Sequence, residues 1–402
     1  MHRMTHDTCT PIDWSAYTAL RRDIHRHPEL GFEEHRTAGL VAQRLRELGY
    51  VVTEGIAGTG LVGTLRLGSS RRSMSLRADM DALPIQEATG LEWASEAPGT
   101  MHACGHDGHT AILLAAAELI ARERNFDGTV HLIFQPAEEM GGAGGARRMV
   151  EDGLFERFPC DAVFAMHNMP GWPTGRFLFR DGAMMASSDR VVITFTGKGG
   201  HAAVPHRTVD PTVAAASAIL ALQTIASRNI DPLESVVISV GMLQAGATYN
   251  VIPDEARLEL SVRTFSAELR REIEGRIRRI CTLQAESFGA HAEVDYQYGY
   301  PVLVNTAAET RDALAVARRH FGEDQVQADI PPLMGSEDFA YFLQERPGCY
   351  LLIGNGEIGS TDPATGLTHC MVHNPGYDFN DACLAPAARY WAALVAHRLA
   401  PQ

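Results

Sequence analysis

Residues 190–297 run strand, helix, strand, strand, helix, strand, and this order limits the possible folds more than any other feature of the chain. Residues 190–196 alternate as a strand. Residues 210–228 form a helix with Pro211 in its first turn, where a missing N–H is tolerated. Residues 236–243 and 256–264 are strands, 267–288 a long amphipathic helix, and 292–297 a last strand. The βαββαβ order is that of a ferredoxin-like unit, which is compact enough to fold alone. Because it lies mid-chain, the structure around it has to be assembled from both flanks.

Those flanks alternate strands with helices. Asp13 caps a helix that runs toward His27 and is broken by Pro28. Residues 33–48 form a second helix, with Leu40, Val41, Leu45 and Leu48 at helical spacing. Strand-like runs at 61–67 and 74–77 lead into a long polar loop reaching Gly105. A helix over 110–122 follows, then short apolar runs at 129–134 and 162–166 of the kind found in buried strands. After Tyr300 the same character resumes through 350–353 and a last helix over about 383–399. The chain has 402 residues, more than one core usually organises. The expectation is an α/β protein in which a discontinuous α/β sheet domain, residues 1–188 and 299–402, carries the inserted ferredoxin-like unit at 189–298.

Charge and cysteine content narrow the function. A net charge of −14 disfavours nucleic-acid binding, which needs a basic surface. Seven cysteines scattered over the chain form no disulfide framework and fit a reducing compartment. Residues 1–12 are polar and lack the apolar centre of a signal peptide. The longest apolar stretch, 111–121, is interrupted by Glu118 and is too short to span a bilayer. A cytoplasmic protein without membrane contact is expected.

The chemistry is concentrated in four short segments. His102-Ala103-Cys104-Gly105-His106-Asp107-Gly108-His109 brings together thiolate and imidazole, the donors that zinc-like ions prefer. Gly105 lets the backbone turn so that both side chains can face one ion. The bland alternative is a loop of scattered histidines opening a helix. Gln135-Pro136-Ala137-Glu138-Glu139 follows a buried strand. Two adjacent carboxylates there repel unless a cation or proton intervenes, and one can ligate a metal while its neighbour acts as general base; alone, they could be a solvated acidic turn. Met166-His167-Asn168 ends an apolar strand, and His373-Asn374-Pro375 precedes the last helix. A lone histidine is more often structural than a ligand. The first three segments, however, share a placement at strand ends or the following helix start, where open α/β sheets build their sites. Donors from four loops are enough for two ions, whereas one structural zinc needs only four, usually closely paired.

One match misleads. Gly58-Thr59-Gly60-Leu61-Val62-Gly63 fits GxGxxG, and Asp79 lies about twenty residues on, as in a dinucleotide fingerprint. The motif should end a strand and open a helix. Here it enters the strand-like 61–67 run, with no room for a crossover helix.

Taken together, several segments resemble one family: His25-Arg26-His27-Pro28-Glu29-Leu30-Gly31, Arg77-Ala78-Asp79-Met80-Asp81, Met101 to His106, Gln135 to Glu139, Met166-His167, Gly199-Gly200-His201, Gly335-Ser336-Glu337-Asp338-Phe339 and Val372-His373. It is the amidohydrolase branch of the aminoacylase and carboxypeptidase-G type metallopeptidases, and the resemblance runs from about residue 14 to 398. It implies a metal-dependent hydrolase acting on the amide bond of N-acyl amino acids, with a dipeptidase or carboxypeptidase as the alternative within the family. A metal-bound carrier without catalysis is a more distant rival, disfavoured because Glu138 is present. The resemblance implies that Cys104 bridges two divalent ions (zinc, manganese, cobalt or nickel) and that His106, Glu139, His167 and His373 complete the ligands. Glu138 becomes the general base. His201, from its own or a neighbouring subunit, would stabilise the oxyanion, and Asn250 and Arg263 would hold the substrate carboxylate. The larger domain would be catalytic, and the insert a lid and the dimerisation element of a homo-oligomer. Where many relatives carry a ligand histidine this chain has Asp79, whose role is left open; Asp81 is expected to orient a ligand histidine.

Overall fold

The computed structural model describes residues 11–401; the polar N-terminal stretch read above as lacking a signal peptide lies mostly outside them. The chain divides into two compact units. The larger holds residues up to Gly182 together with Asn305–Pro331 and the segment from Tyr341 onward.

Its frame is a mixed eight-stranded sheet in the order Val51–Ile56, Gly60–Leu67, Gly128–Gln135, Ser73–Asp79, Val163–Met169, Gly348–Gly354, Phe177–Leu178, Val326–Gln327. Four of these strands are mutually parallel: Gly128–Gln135, Ser73–Asp79, Val163–Met169 and Gly348–Gly354. They are almost wholly buried, which is why they read as continuous apolar runs. Being parallel, they end at one edge of the sheet. The GxGxxG segment lies at the antiparallel turn between Val51–Ile56 and Gly60–Leu67, and Gly58 takes a φ of 91° there.

The helix that the sequence places at 110–122 runs from His106 to Glu123. It starts earlier because Gly105, at φ 91°, turns the chain directly into it. Its Ala- and Leu-rich body is buried on nearly all sides, so it lacks the polar stripe of a surface helix. The first helix, Trp14–Arg26, is capped by the Asp13 carboxylate, which accepts from the N–H groups of Ser15 and Ala16. The strand Val51–Ile56 and the helix Ala307–Phe321 add to the expected elements.

The second unit holds Ala183–Val304 and Pro332–Ala340. Its antiparallel sheet has the order Val236–Ala245, Glu255–Thr264, Asp189–Thr196, His291–Tyr298. The helices Pro211–Thr224 and Ala267–Ser287 complete the βαββαβ path. One core joins Val191, Ile193 and Phe195 of the sheet to Ala218, Leu222, Ile273 and Ile277 of the helices. The first helix ends four residues earlier than expected because Ile225–Asn229 loosens into a π turn. Among the described residues no helix is long and apolar enough to cross a membrane.

A buried ion pair ties this second unit together. Asp189 accepts from Arg270 Nε at 2.9 Å, from the Tyr296 hydroxyl at 2.7 Å and from the Gly299 N–H at 3.1 Å. The start of the first strand is thereby fixed to the second helix and the end of the last strand. Removing one member of a buried pair strands the other charge, at a cost of about 3–5 kcal/mol. Asp189→Ala is expected to lose that much in urea denaturation. Arg190→Ala, which breaks an exposed pair with Glu259, is expected to lose under about 1 kcal/mol. Equal midpoints for the two variants would show that the Asp189 pair carries no such weight.

Candidate metal centre

The parallel strand ends deliver most of the donors. Asp79 closes the Ser73–Asp79 strand and Asp81 follows it. Glu138 and Glu139 open a 3₁₀ turn just after the Gly128–Gln135 strand. His167 lies in the last turn-ward half of Val163–Met169. Cys104 and His106 flank Gly105 at the start of the central helix. His373 comes from the C-terminal segment, its N–H bonded to Ala103 O at 2.7 Å.

These side chains converge. Three sets of donors, Cys104 with His106 and His167, Cys104 with Glu139 and His373, and His106 with Glu138 and Glu139, each have ligand atoms within 4.8 Å of one another. Cys104 belongs to two of them. Its Sγ stands 3.3 Å from His167 Nε2. Glu139 Oε1 stands 3.1 Å from His373 Nε2 and 4.0 Å from His106 Nε2. Even so, the buried atoms His106 Nε2 and Glu139 Oε1 make no hydrogen bond among the described residues. Buried polar atoms are rarely left so. A divalent cation would satisfy both, so the residues present fit such an ion. Asp79, His106 and His109 form a fourth cluster, but it does not suit a cation. Arg77 already occupies Asp79 at 2.8 Å, and both ring nitrogens of His109 are engaged.

The other nitrogen of each buried ligand histidine is held by an oxygen. His106 Nδ1 lies 2.9 Å from Asp81 O and 3.2 Å from Asp81 Oδ1. His167 Nδ1 lies 2.6 Å from Asn168 O. Asp81 Oδ2 also accepts from the Glu139 N–H at 2.9 Å, so one carboxylate touches two donors. Such contacts set the tautomer and aim the free nitrogen inward.

The electrostatics point the same way. Burial, then Glu139, Glu138 and Asp79, push the Cys104 thiol well above its ordinary range. Without a cation it stays protonated. Burial, with His109 and His106 nearby, holds His167 well below the usual histidine range, hence neutral and able to ligate. Burial opposes charge on His106, but Asp79 and Asp81 outweigh it and raise it to about 10. A metal there would displace a proton. Burial would also raise Asp79, yet Arg77, His106 and His109 keep it well below the carboxylate range.

The chain is similar to known proteins. Residues 75–397 match peptidase family M20/M25/M40. The chain belongs to this family. It is 45% identical over 378 residues to a hippurate hydrolase of Campylobacter jejuni, covering 94% of this chain and 95% of that one. It is 38% identical over 376 residues to the thermostable carboxypeptidase 1 of Saccharolobus solfataricus, covering 92% and 94%. Among solved structures it superimposes on the YXEP protein of Bacillus subtilis, a dinuclear metal-binding M20 peptidase, with a TM-score of 0.81 and 35% identity over 96% of this chain and 98% of that one. This M20 chain is accordingly a hydrolase with donor groups for divalent metal.

The remaining sequence candidates belong to the second unit. His201 and Asn250 are neighbours there. His201 pairs with Val251 across a two-stranded ribbon, its Nδ1 accepting from the Ala203 N–H at 3.0 Å, and Asn250 O accepts from the Ala202 N–H at 3.1 Å. Both side chains are exposed. Arg263, half-buried on Glu255–Thr264, forms no ion pair among the described residues.

Beside the candidate ligands lies a polar cluster of which the sequence motifs contain only His25 and Asp107, with no role given to either. Arg21 is fully buried and reaches Asp107 at 3.2 Å, Asp378 at 2.8 Å and Asp381 at 2.8 Å. Its neighbour His25 lies 2.9 Å from Asp107 and 3.4 Å from Glu87. These contacts anchor the first helix to Asp107, directly after His106. Burial alone would lower His25, but Asp107 and Glu87 outweigh it and raise it from 6.5 to about 9. The charged His25 therefore stabilises the fold fully below about pH 6.5 and loses that contribution as pH rises through about 9. The loss is worth up to about 3 kcal/mol. Urea denaturation of metal-free protein from pH 6 to pH 10 is expected to show it in the wild type and not in His25→Leu. Parallel pH profiles for the two would refute the assignment.

Proposed function

We propose that this M20 enzyme hydrolyses the amide bond of N-acyl amino acids at a centre of two divalent ions, releasing a carboxylate and a free amino acid. The observation that carries the proposal is Cys104, shared by two donor sets, with Glu138 beside them. Cys104, His106, Glu139, His167 and His373 are the proposed ligands, and Asp81 orients His106. The similarity to a hippurate hydrolase supports an N-acyl amino acid substrate.

When bound, the two ions, drawn from zinc, manganese, cobalt or nickel, supply Lewis acidity that polarises the amide carbonyl and acidifies water. Glu138, only 7% exposed, takes the proton of the attacking water and returns it to the leaving nitrogen. His201 is the proposed oxyanion donor. Asn250 and Arg263 are the proposed holders of the substrate carboxylate, and the half-buried guanidinium of Arg263, without an ion pair among the described residues, supports that role against a net charge of −14.

The second unit also offers a surface for a second copy. Val236–Ala245 is an edge strand, and Leu220 is 75% exposed on the helix Pro211–Thr224. A homo-oligomer through this unit, and a reducing cytoplasmic setting for the cysteines, which are free among the described residues, complete the proposal.

Glu138→Gln is expected to bind metal as the wild type does while turnover falls about 100- to 10,000-fold. Intact turnover would sink the base assignment. A panel of hippurate, N-acetyl amino acids and dipeptides tests the substrate class, and efficient cleavage of dipeptides alone would favour the carboxypeptidase alternative. On the preferred substrate, Arg263→Ala is expected to raise KM about 10- to 100-fold, the worth of a charge-assisted hydrogen bond. An unchanged KM would remove Arg263 from the site.

A further inference from the structure

His109 takes no part in the proposed ligand set, yet it is buried and both ring nitrogens are engaged. Nδ1 lies 2.6 Å from Asp79 Oδ1, and Nε2 lies 2.6 Å from Asn168 Oδ1. The Asn168 N–H points to the same Nε2 at 3.1 Å. At one end of this chain Arg77 donates to Asp79 Oδ2 at 2.8 Å; at the other Asn168 Nδ2 meets the Tyr377 hydroxyl at 2.5 Å. A continuous line of polar contacts thus crosses from the Ser73–Asp79 strand, over the central helix, to the Val163–Met169 strand.

Each link abuts a proposed ligand. His109 follows His106 by one turn of the same helix, their ring centroids 5.4 Å apart. Its ring also lies edge-on to His167, with centroids 4.5 Å apart. Asn168 is the residue after His167. Asn168 Oδ1 and Tyr377 Oη press on Gly105, where a Cβ would meet them at 2.4 and 2.8 Å. The turn that separates Cys104 from His106 is therefore backed by the far end of the same line.

We propose that His109 is the positioning residue of the metal centre, a strut between Asp79 and Asn168 that fixes His106, His167 and the Cys104 turn in one geometry. This rests on the metal-centre reading above and gives Asp79 a role: it anchors the strut and ligates nothing. The physical basis is preorganisation. A histidine ring held on two sides cannot rotate, and neighbouring ligands cannot relax into its space. Loss of such outer contacts typically weakens metal binding about 10- to 100-fold.

The test is metal titration of chelator-stripped protein with Zn²⁺ and with Mn²⁺, in competition with a chromophoric chelator. Wild type, His109→Leu and His109→Gln are compared, with folding checked by circular dichroism. The expected result is two equivalents at saturation in all three, with affinity about 10- to 100-fold weaker in His109→Leu and partly restored in His109→Gln, whose amide can still bridge Asp79 and Asn168. If His109→Leu does not fold, Asn168→Ala and Tyr377→Phe, which cut the line at its other end, are read in the same way. Wild-type affinity in a folded variant overturns the strut. So does loss of a whole equivalent at saturation, which would make His109 a ligand. Wild-type protein that binds neither metal overturns the metal centre itself, and the strut with it.

Discussion

The centre depends on a thiol buried among carboxylates. Cys104 is 7% exposed and has Glu138, Glu139 and Asp79 close enough to drive its proton affinity up. Arg77, a fixed cation, stands on Asp79. A protein interior does not hold such a group of acids unless something compensates them. Histidines do so in part by taking protons, as the upward shift of His106 records. A divalent ion does it better, because it turns thiolate and carboxylate from mutually repelling groups into donors to a common charge. The same imbalance is what a cation at these donors would relieve.

The sheet makes this crowding possible. Four parallel strands end on one edge, and short connections from those ends put chemically unlike segments side by side. The candidate ligand histidines are then aimed by oxygens in or just past the strands: Asp81 on His106, Asn168 O on His167. Rigidity of the donors is thus inherited from the most buried part of the fold. The second unit has its own core and its own buried ion pair, Asp189 with Arg270.

How far all this is legible in the chain depends on range. The buried strands at 129–134 and 162–166 declare themselves because β-branched and aromatic residues are bounded by polar turns. The ligands stand out because cysteine, histidine and paired glutamates at strand ends are costly without a purpose. The helix start at His106 is hidden, since His-Asp-Gly-His looks like loop until one knows that Gly105 is left-handed. Val51–Ile56 is hidden for a different reason: as an edge strand it buries only Ile56, so its apolar residues do not alternate with polar ones. Asn168, Tyr377 and Arg21 are ordinary residue types whose importance comes from partners far away in sequence. No periodicity or motif carries that information. Nor does any local signal tell that Pro332–Ala340 joins the second unit.

One regularity of the site links backbone to chemistry. Three of its segments pass through a left-handed residue beside or at a donor: Gly105 at φ 91°, Ala137 at 53° and His373 at 62°. Glycine bears this freely, whereas alanine and histidine each cost about 1–2 kcal/mol. Such strain persists only where the surroundings over-determine it. They do so here. The Ala137 N–H donates to Glu34 Oε1 at 2.8 Å, its carbonyl accepts from the Gly145 N–H at 3.0 Å, and a side chain at Gly31 would strike it. His373 is pinned through its N–H to Ala103, next to Cys104. A left-handed residue reverses the chain within a single step, so the following side chain can point back over the strand end instead of outward. Glu138 is turned inward in this way straight after the strand that ends at Gln135. The strain at Ala137 and His373 is therefore the backbone's contribution to the same end the carboxylates serve, a convergent set of donors that fits a cation.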